Sequence, residues 1–427
     1  MWRICVVLLS VGLLAGCASS GRSEQVAVLG ADVADLRERM NELQGQVAEL
    51  TAYREVAACR LSNQVGGDQT NSGFPISPER IPASGNVNVA VLFVDFPDAP
   101  ALQGGTATAD EPTSTHDLFG QIASDAKRYL KAMSYGAFDV TFRPLHRWLR
   151  MPHSLSSLYA DSDSSLGRGI SRFMLINDAI GLADPEFDFE DIDSVVVIAA
   201  PEADSIRRGS ALLSPDWHFD PDGQTIGNSI SMGSSGRHWP NWLTTAHELG
   251  HNLGLPDLYD TSVKRDSEED LSDEVYRFVG EFGLMGGSQS HPRVEMFAWS
   301  RWQLGWLRDT QVACVTSFPT SVQLTPLATP GGIKAVVVPL TETTALVVES
   351  RRALGYDFHL RKEGALVYKV DTSVPTGEGP IVVGSISKPP DGTALLGPGE
   401  IWNSDGYSVT VKEVTPEGDL VEISTID

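Results

Sequence analysis

His247 and His251 stand four residues apart, with Glu248 beside the first of them. On an α-helix that spacing sets both imidazoles on one face about a turn apart, where they can share one metal ion. Glu248 then lies next to the ligands without being needed as one, and its carboxylate is free to take a proton from a water held by the metal. Pro240 and Asn241 give the segment a start, and Leu243, Ala246, Gly250 and Leu253 give it an apolar face for a core. Gly254, three residues past the second histidine, permits a positive φ and ends the helix in a sharp turn. That turn delivers Asp257 as a third ligand. Zinc suits two imidazoles and a carboxylate, and the Gly254-to-Asp257 spacing argues against a downstream Glu in the role. A surface helix with two unrelated histidines would not need Gly254 and Asp257 at these positions.

The start of the chain constrains where such chemistry would act. Arg3 precedes an apolar run from Ile4 to Leu14, which is too short for a membrane span and is followed by small residues, the pattern of a secretory signal. Leu14-Ala15-Gly16-Cys17 resembles the lipobox of bacterial lipoproteins, in which the cysteine is lipidated and becomes the new N-terminus. With Ala18 next, the resemblance implies anchorage in the cell envelope at the outer membrane of a two-membrane bacterium. Of four cysteines, Cys5 then leaves with the signal and Cys17 takes lipid, so Cys59 and Cys314 remain. In an oxidising compartment they can form a disulfide, though sequence leaves open whether they lie within bonding distance. A formal net charge of -24, with no basic patch to offset it, excludes nucleic acid as a partner.

The 427 residues divide by pattern. Residues 1–16 read as the leader and 17–58 as lipid anchor and stalk. In the stalk Val26, Val33, Met40 and Val47 recur every seven residues, and Leu29, Leu36, Leu43 and Leu50 follow each by three. This a/d seam predicts a parallel coiled coil, a homodimer, with Asp32 facing Arg37 of the partner helix. Gly30 and Gly45 weaken the helix and keep a lone amphipathic helix as the alternative. Residues 59–86, rich in Gly, Ser, Asn, Pro and Gln, read as a linker. From 87 to 307 strand and helix alternate: a buried strand at Val87 to Phe96, a helix over Asp117 to Met133, a second around Gly169 to Ile180 and a strand at Ser194 to Ala200. That alternation predicts an α/β (α+β) domain. Short β-branched runs after Trp306 predict a separate all-β domain over 308–427.

HELGHNLGLPDLYD, followed by Phe282-Gly283-Leu284-Met285-Gly286-Gly287-Ser288, resembles the immune inhibitor A (M6) group of metzincin-like peptidases. VAVLFVDFPD, YLKAMSYGAFDV, FAWSRWQLGW and GALVYKVD extend the likeness across most of Val87 to Asp371. The resemblance implies a metzincin-like fold, Asp257 as third metal ligand and Met285 as the methionine beneath the metal. Many members of the group carry a DxDxDG-like loop before the strand that precedes the active helix. Here the loop is Asp188-Phe189-Glu190-Asp191-Ile192-Asp193, without the central glycine, and calcium there stays open.

These readings predict a zinc endopeptidase of extracytoplasmic proteins or peptides, with His247, His251 and Asp257 as ligands and Glu248 as general base. Substrate would lie along an exposed strand edge, for which Ser229-Ile230-Ser231-Met232 is the candidate. The alternative is a non-catalytic surface lipoprotein or adhesin that keeps the peptidase fold. If Cys17 carries the anchor, Cys17→Ser should move the protein from the membrane pellet to the soluble fraction on ultracentrifugation.

Overall fold

The computed structural model describes residues 33, 36–41, 43–44, 47, 56–65, 70–101, 114–160, 165–206, 209–233, 242–263, 274–286, 295–384 and 393–426. The chain divides into two compact units, Met1–Arg54 and Glu55–Asp427. In the first, the described residues are helical, and Val33, Leu36, Met40, Leu43 and Val47 of the heptad seam are all exposed. The leader, Cys17 and the remaining seam positions Val26, Leu29 and Leu50, with Gly30, Asp32 and Gly45, lie outside the described residues. No described helix is long and apolar enough to cross a membrane.

The second unit is a mixed α/β body. Its central strand, β1 (Gly85–Asp95), runs parallel between β2 (Phe138–Arg150) and β3 (Ser194–Ala199). Beyond β3 come β5 (Asn228–Met232), again parallel, and β4 (Ser210–Leu213), antiparallel at the edge, giving the order β2-β1-β3-β5-β4. Strand periodicity splits β1 between two cores. Val87, Val89, Val91 and Phe93 face α1 (Thr115–Met133) and α3 (Trp242–Asn252), whereas Ala90, Leu92 and Val94 face Leu175, Ile176 and Ala179 of α2 (Ser165–Ala183). The helix α1 starts where the Ser114 side chain accepts the Asp117 N–H, and it buries Phe119, Ile122, Ala126, Tyr129, Leu130 and Met133 along one stripe.

The edge of this sheet corrects one expectation. Ser229 to Met232 form an interior strand with all side chains buried, and β4 holds the free edge instead. A four-residue strand running into Ser214-Pro215 carries too little periodicity to be recognised in sequence.

After the short helix α4 (Ala298–Gln303) the chain is all β. One sheet has the order β11-β10-β9-β8-β6, from Ile381–Val383, Gly364–Asp371, Thr344–Arg351, Ala335–Pro339 and Val312–Cys314. The other has β12-β13-β14-β7, from Ile401–Ser404, Tyr407–Thr415, Gly418–Thr425 and Thr320–Leu324. Val336, Val348 and Val367 meet Leu324, Val411 and Ile423 between the two sheets. The opposite face of the first sheet, with Val337, Val347, Leu366 and Tyr368, joins the same core as Leu249 and Leu253 of α3. The β region is therefore not a separate domain: it completes the core under α3.

Residues 60–65 and 70–86 also differ from expectation. They are no free linker but are pinned across the body. Phe74 packs edge-on against Trp299 and Trp302, with ring centroids 5.4 and 4.8 Å apart. Trp299 Nε1 donates to Ser72 O at 2.7 Å, and Gln303 Nε2 donates to the carbonyls of Asn71 and Gly73 at 2.7 and 2.8 Å. A segment held mainly through its carbonyls needs no hydrophobic period, so its composition looks like that of a linker.

Cys59 at the start of this segment is bonded to Cys314 on β6, with Cα atoms 5.8 Å apart across a sequence separation of 255. Cross-linking so long a loop restricts the unfolded chain more than the native one. Replacing both cysteines by serine should lower the unfolding free energy by about 2–5 kcal/mol in denaturant titrations. Dithiothreitol should destabilise the parent similarly and leave the double variant unchanged.

Candidate metal centre

α3 presents its two histidines into a cleft at the C-terminal end of the helix. Each ring donates its Nδ1–H to a backbone carbonyl: His247 to Leu284 O at 3.2 Å, and His251 to Leu255 O at 2.8 Å. That arrangement turns the Nε2 atom of each ring toward Asp257 Oδ1. The rings meet nearly perpendicular, with centroids 4.8 Å apart.

The helix ends at Gly254, whose φ of +100° is one that L side chains rarely adopt. Crowding reinforces the requirement, since a Cβ there would lie 2.8 Å from Ile76 and 3.2 Å from Arg80. The reversed chain sets Asp257 Oδ1 at 3.1 Å from His247 Nε2 and 3.3 Å from His251 Nε2. His247, His251 and Asp257 thus form a group whose three ligand atoms lie within 4.8 Å of one another and could hold a metal ion. It is the one such group among the described residues, and Asp188, Glu190, Asp191 and Asp193 are not part of it. Those acids serve their own loop instead: Asp193 accepts the Asn88 N–H at 2.8 Å and Asp188 accepts the Glu190 N–H at 2.9 Å.

Charge in the group is strongly coupled. Burial alone would lower the His251 pKa, but the adjacent Asp257 carboxylate outweighs it and lifts the value to about 9. Burial alone would raise Asp257, and the two imidazoles instead hold its carboxyl well below the usual range. Glu248, buried beside them, is pushed up by desolvation, while His247, His251 and Arg172 pull it down. Desolvation prevails, and the carboxyl sits above its ordinary value.

Met285 packs against the helix at Gly250, where a Cβ would come within 2.6 Å of its Sδ. Its carbonyl accepts the Leu258 N–H at 2.8 Å, tying this segment to the loop that carries Asp257.

His247, Glu248, His251 and Asp257 all line a cleft of about 780 Å³. Its other walls are residues that sequence reasoning missed: the edge strand β4 with Gly209 before it, Arg172 on α2, Tyr259 two residues past the third ligand, and Thr376 from the β10–β11 loop. A Cβ on Gly209 would run into Glu248 Oε1, so the backbone entering β4 comes directly against the carboxylate. Arg172 is buried and donates to Ser231 Oγ on β5 at 2.9 Å. The Tyr259 ring stacks on that of His247, with centroids 6.2 Å apart. Only Tyr259 had a signal in sequence, its closeness to Asp257; the others arrive from distant segments.

No family model and no curated protein matches the chain.

Asp257 is the member of this group that a loop must hold in place, so Asp257→Ala should weaken retention of a divalent metal by at least tenfold in dialysis followed by metal analysis. A variant retaining the parent's stoichiometry would remove Asp257 from the site.

Proposed function

We propose that this chain is a zinc-dependent endopeptidase of the immune inhibitor A (M6) kind, held at the cell envelope by a lipid on Cys17 and a helical stalk. The observation that carries the reading is one cleft in which three ligand atoms converge beside a buried glutamate and along a free strand edge. Two imidazoles and a carboxylate, with Nε2-to-Oδ1 separations of 3.1 and 3.3 Å, are a donor set that would suit zinc. The carbonyl partners on both Nδ1 atoms suit it too, since they orient neutral imidazoles as ligands.

A zinc ion bound there supplies Lewis acidity toward the scissile carbonyl and lowers the pKa of a water. Glu248 takes the proton as that water's oxygen bonds to the carbonyl carbon, then passes it to the nitrogen as the C–N bond breaks. Desolvation raises the affinity of its carboxylate for that proton and so strengthens Glu248 as the base. The free edge of β4 receives the peptide as an added strand, which brings one peptide bond into register with the base. Met285, packed under Gly250, serves as an apolar floor beneath the histidine-bearing turn.

The test is zinc analysis of the purified protein together with casein or gelatin hydrolysis. The parent should carry one zinc and cleave. Glu248→Gln should keep the zinc and lose at least two orders of magnitude in kcat/KM, since the ligands remain and only the base is gone. A zinc-loaded parent that cleaves neither these proteins nor a peptide library would leave the non-catalytic binding reading in its place.

A further inference from the structure

The loop joining β10 to β11 crosses from the C-terminal sheets to the segment that carries Asp257. Thr376 Oγ1 accepts the Asp257 N–H at 2.8 Å, and the next residue, Gly377, donates its N–H to the Asp257 carbonyl at 2.9 Å. Both peptide planes flanking the Asp257 Cα are thereby held by two consecutive residues, and the direction of the side chain follows from them. A second attachment lies four residues further along, where Thr261 donates its N–H and Oγ1–H to the Gly377 carbonyl at 3.0 and 3.3 Å.

The approach is close enough to demand glycine. Gly377 is buried with φ +72°, and a Cβ on it would run into the Thr261 side chain. At its other end the loop is anchored in its own sheet. The Asp371 N–H donates to Pro380 O at 2.9 Å, and Thr372 Oγ1 donates to Ser62 O at 2.8 Å. Gly379 lies against Phe278, whose ring a Cβ would meet at 2.8 Å.

We infer that this loop clamps the third metal ligand and that Thr376 is a positioning residue of the centre, acting through the Asp257 backbone. The inference rests on the reading of His247, His251 and Asp257 as zinc ligands. Asp257 alone of the three has no helix to hold it. Two helical histidines keep their spacing through the helix, whereas a carboxylate on a loop must be set by contacts from elsewhere. The clamp supplies them from more than a hundred residues downstream, which makes the all-β region part of the metal centre.

The experiment uses the full chain with Thr376→Val, which keeps the shape and removes the acceptor, and Thr376→Ser, which restores an acceptor. Zinc affinity is measured by competition with a chromogenic chelator, and amide hydrogen exchange is followed over residues 255–261. Thr376→Val should bind zinc about 10–100-fold more weakly and exchange at least tenfold faster at that segment, while Thr376→Ser stays within about threefold of the parent in both. Thr376→Ala replaces the valine variant if that one fails to fold, with the same expectation. Where the parent binds zinc, an affinity in the valine or alanine variant equal to the parent's overturns the inference, whatever the exchange shows. A parent that binds no zinc sinks the peptidase reading separately, and faster exchange in the variant then still carries the clamp on the Asp257 loop.

Discussion

The carboxylate of Asp257 stands between two imidazoles that belong to a helix it has already left. The histidines inherit their geometry from helical repetition, but nothing local returns a chain to within 3.3 Å of both rings five residues after the helix ends. Three separate parts of the molecule supply that return. Gly254 provides the reversed dihedral, and Leu255 offers the carbonyl that orients His251. The segment around Asn71 and Ile81 braces the turn from below, its N–H groups donating to Gly254 O and Asn252 O at 3.1 Å each. The β10–β11 loop holds Asp257 itself. The tolerance of a ligand set is a few tenths of an ångström, so a loop-borne ligand needs this density of support.

That requirement accounts for the way the sheets are merged. The inner C-terminal sheet gives one face to its own sandwich and the other to the core that contains α3. A buried ionic network fastens the junction. Glu349 accepts the Ala298 N–H at the start of α4 at 2.7 Å, and it also accepts the Tyr368 hydroxyl at 2.9 Å. Arg351 bridges Glu349 and Asp357, each at 2.7 Å, and Arg301 pairs with Glu295 nearby. These charges are essentially inaccessible to water, and removing any single partner would strand another at a cost of about 3–5 kcal/mol. The same α4 carries Trp299, Trp302 and Gln303, which grip residues 71–74 on its other side. A six-residue helix thus joins the N-terminal segment to the C-terminal sheet.

What was legible in the sequence is what repeats or what a small motif demands. The active helix, its glycine stop and Asp257 followed from spacing, and the buried strands from runs of β-branched residues such as Val87 to Phe93. Cys59 and Cys314 were nameable as the pair available to bond, though not their proximity. What was hidden is contact between segments far apart in the chain. Ser210 to Leu213 are too few to show a strand period, and the more conspicuous Ser229 to Met232 alternate serine with Ile230 and Met232 as an edge would, yet all four are buried inside the sheet. Residues 70–86 are held through backbone carbonyls and N–H groups and the single ring of Phe74, which composition does not record. Thr376 is one threonine among many until the fold brings it to Asp257. Functional walls assembled from loops and edges escape single-sequence reading for this reason.

Gly209 shows how far such hidden dependence can go. It lies outside any recognisable motif, and one of its two α-hydrogens occupies space that a methyl group would contest with the Glu248 carboxylate. The Glu248 carboxylate therefore keeps its orientation only as long as a residue nearly forty positions upstream has no side chain. A copy of this chain with alanine there would retain both histidines, the glutamate and the aspartate, and would pass every inspection of the signature while that carboxylate was turned aside. For proteins built like this one, intactness of the motif and competence of the site are different properties, and only the packing around the motif tells them apart.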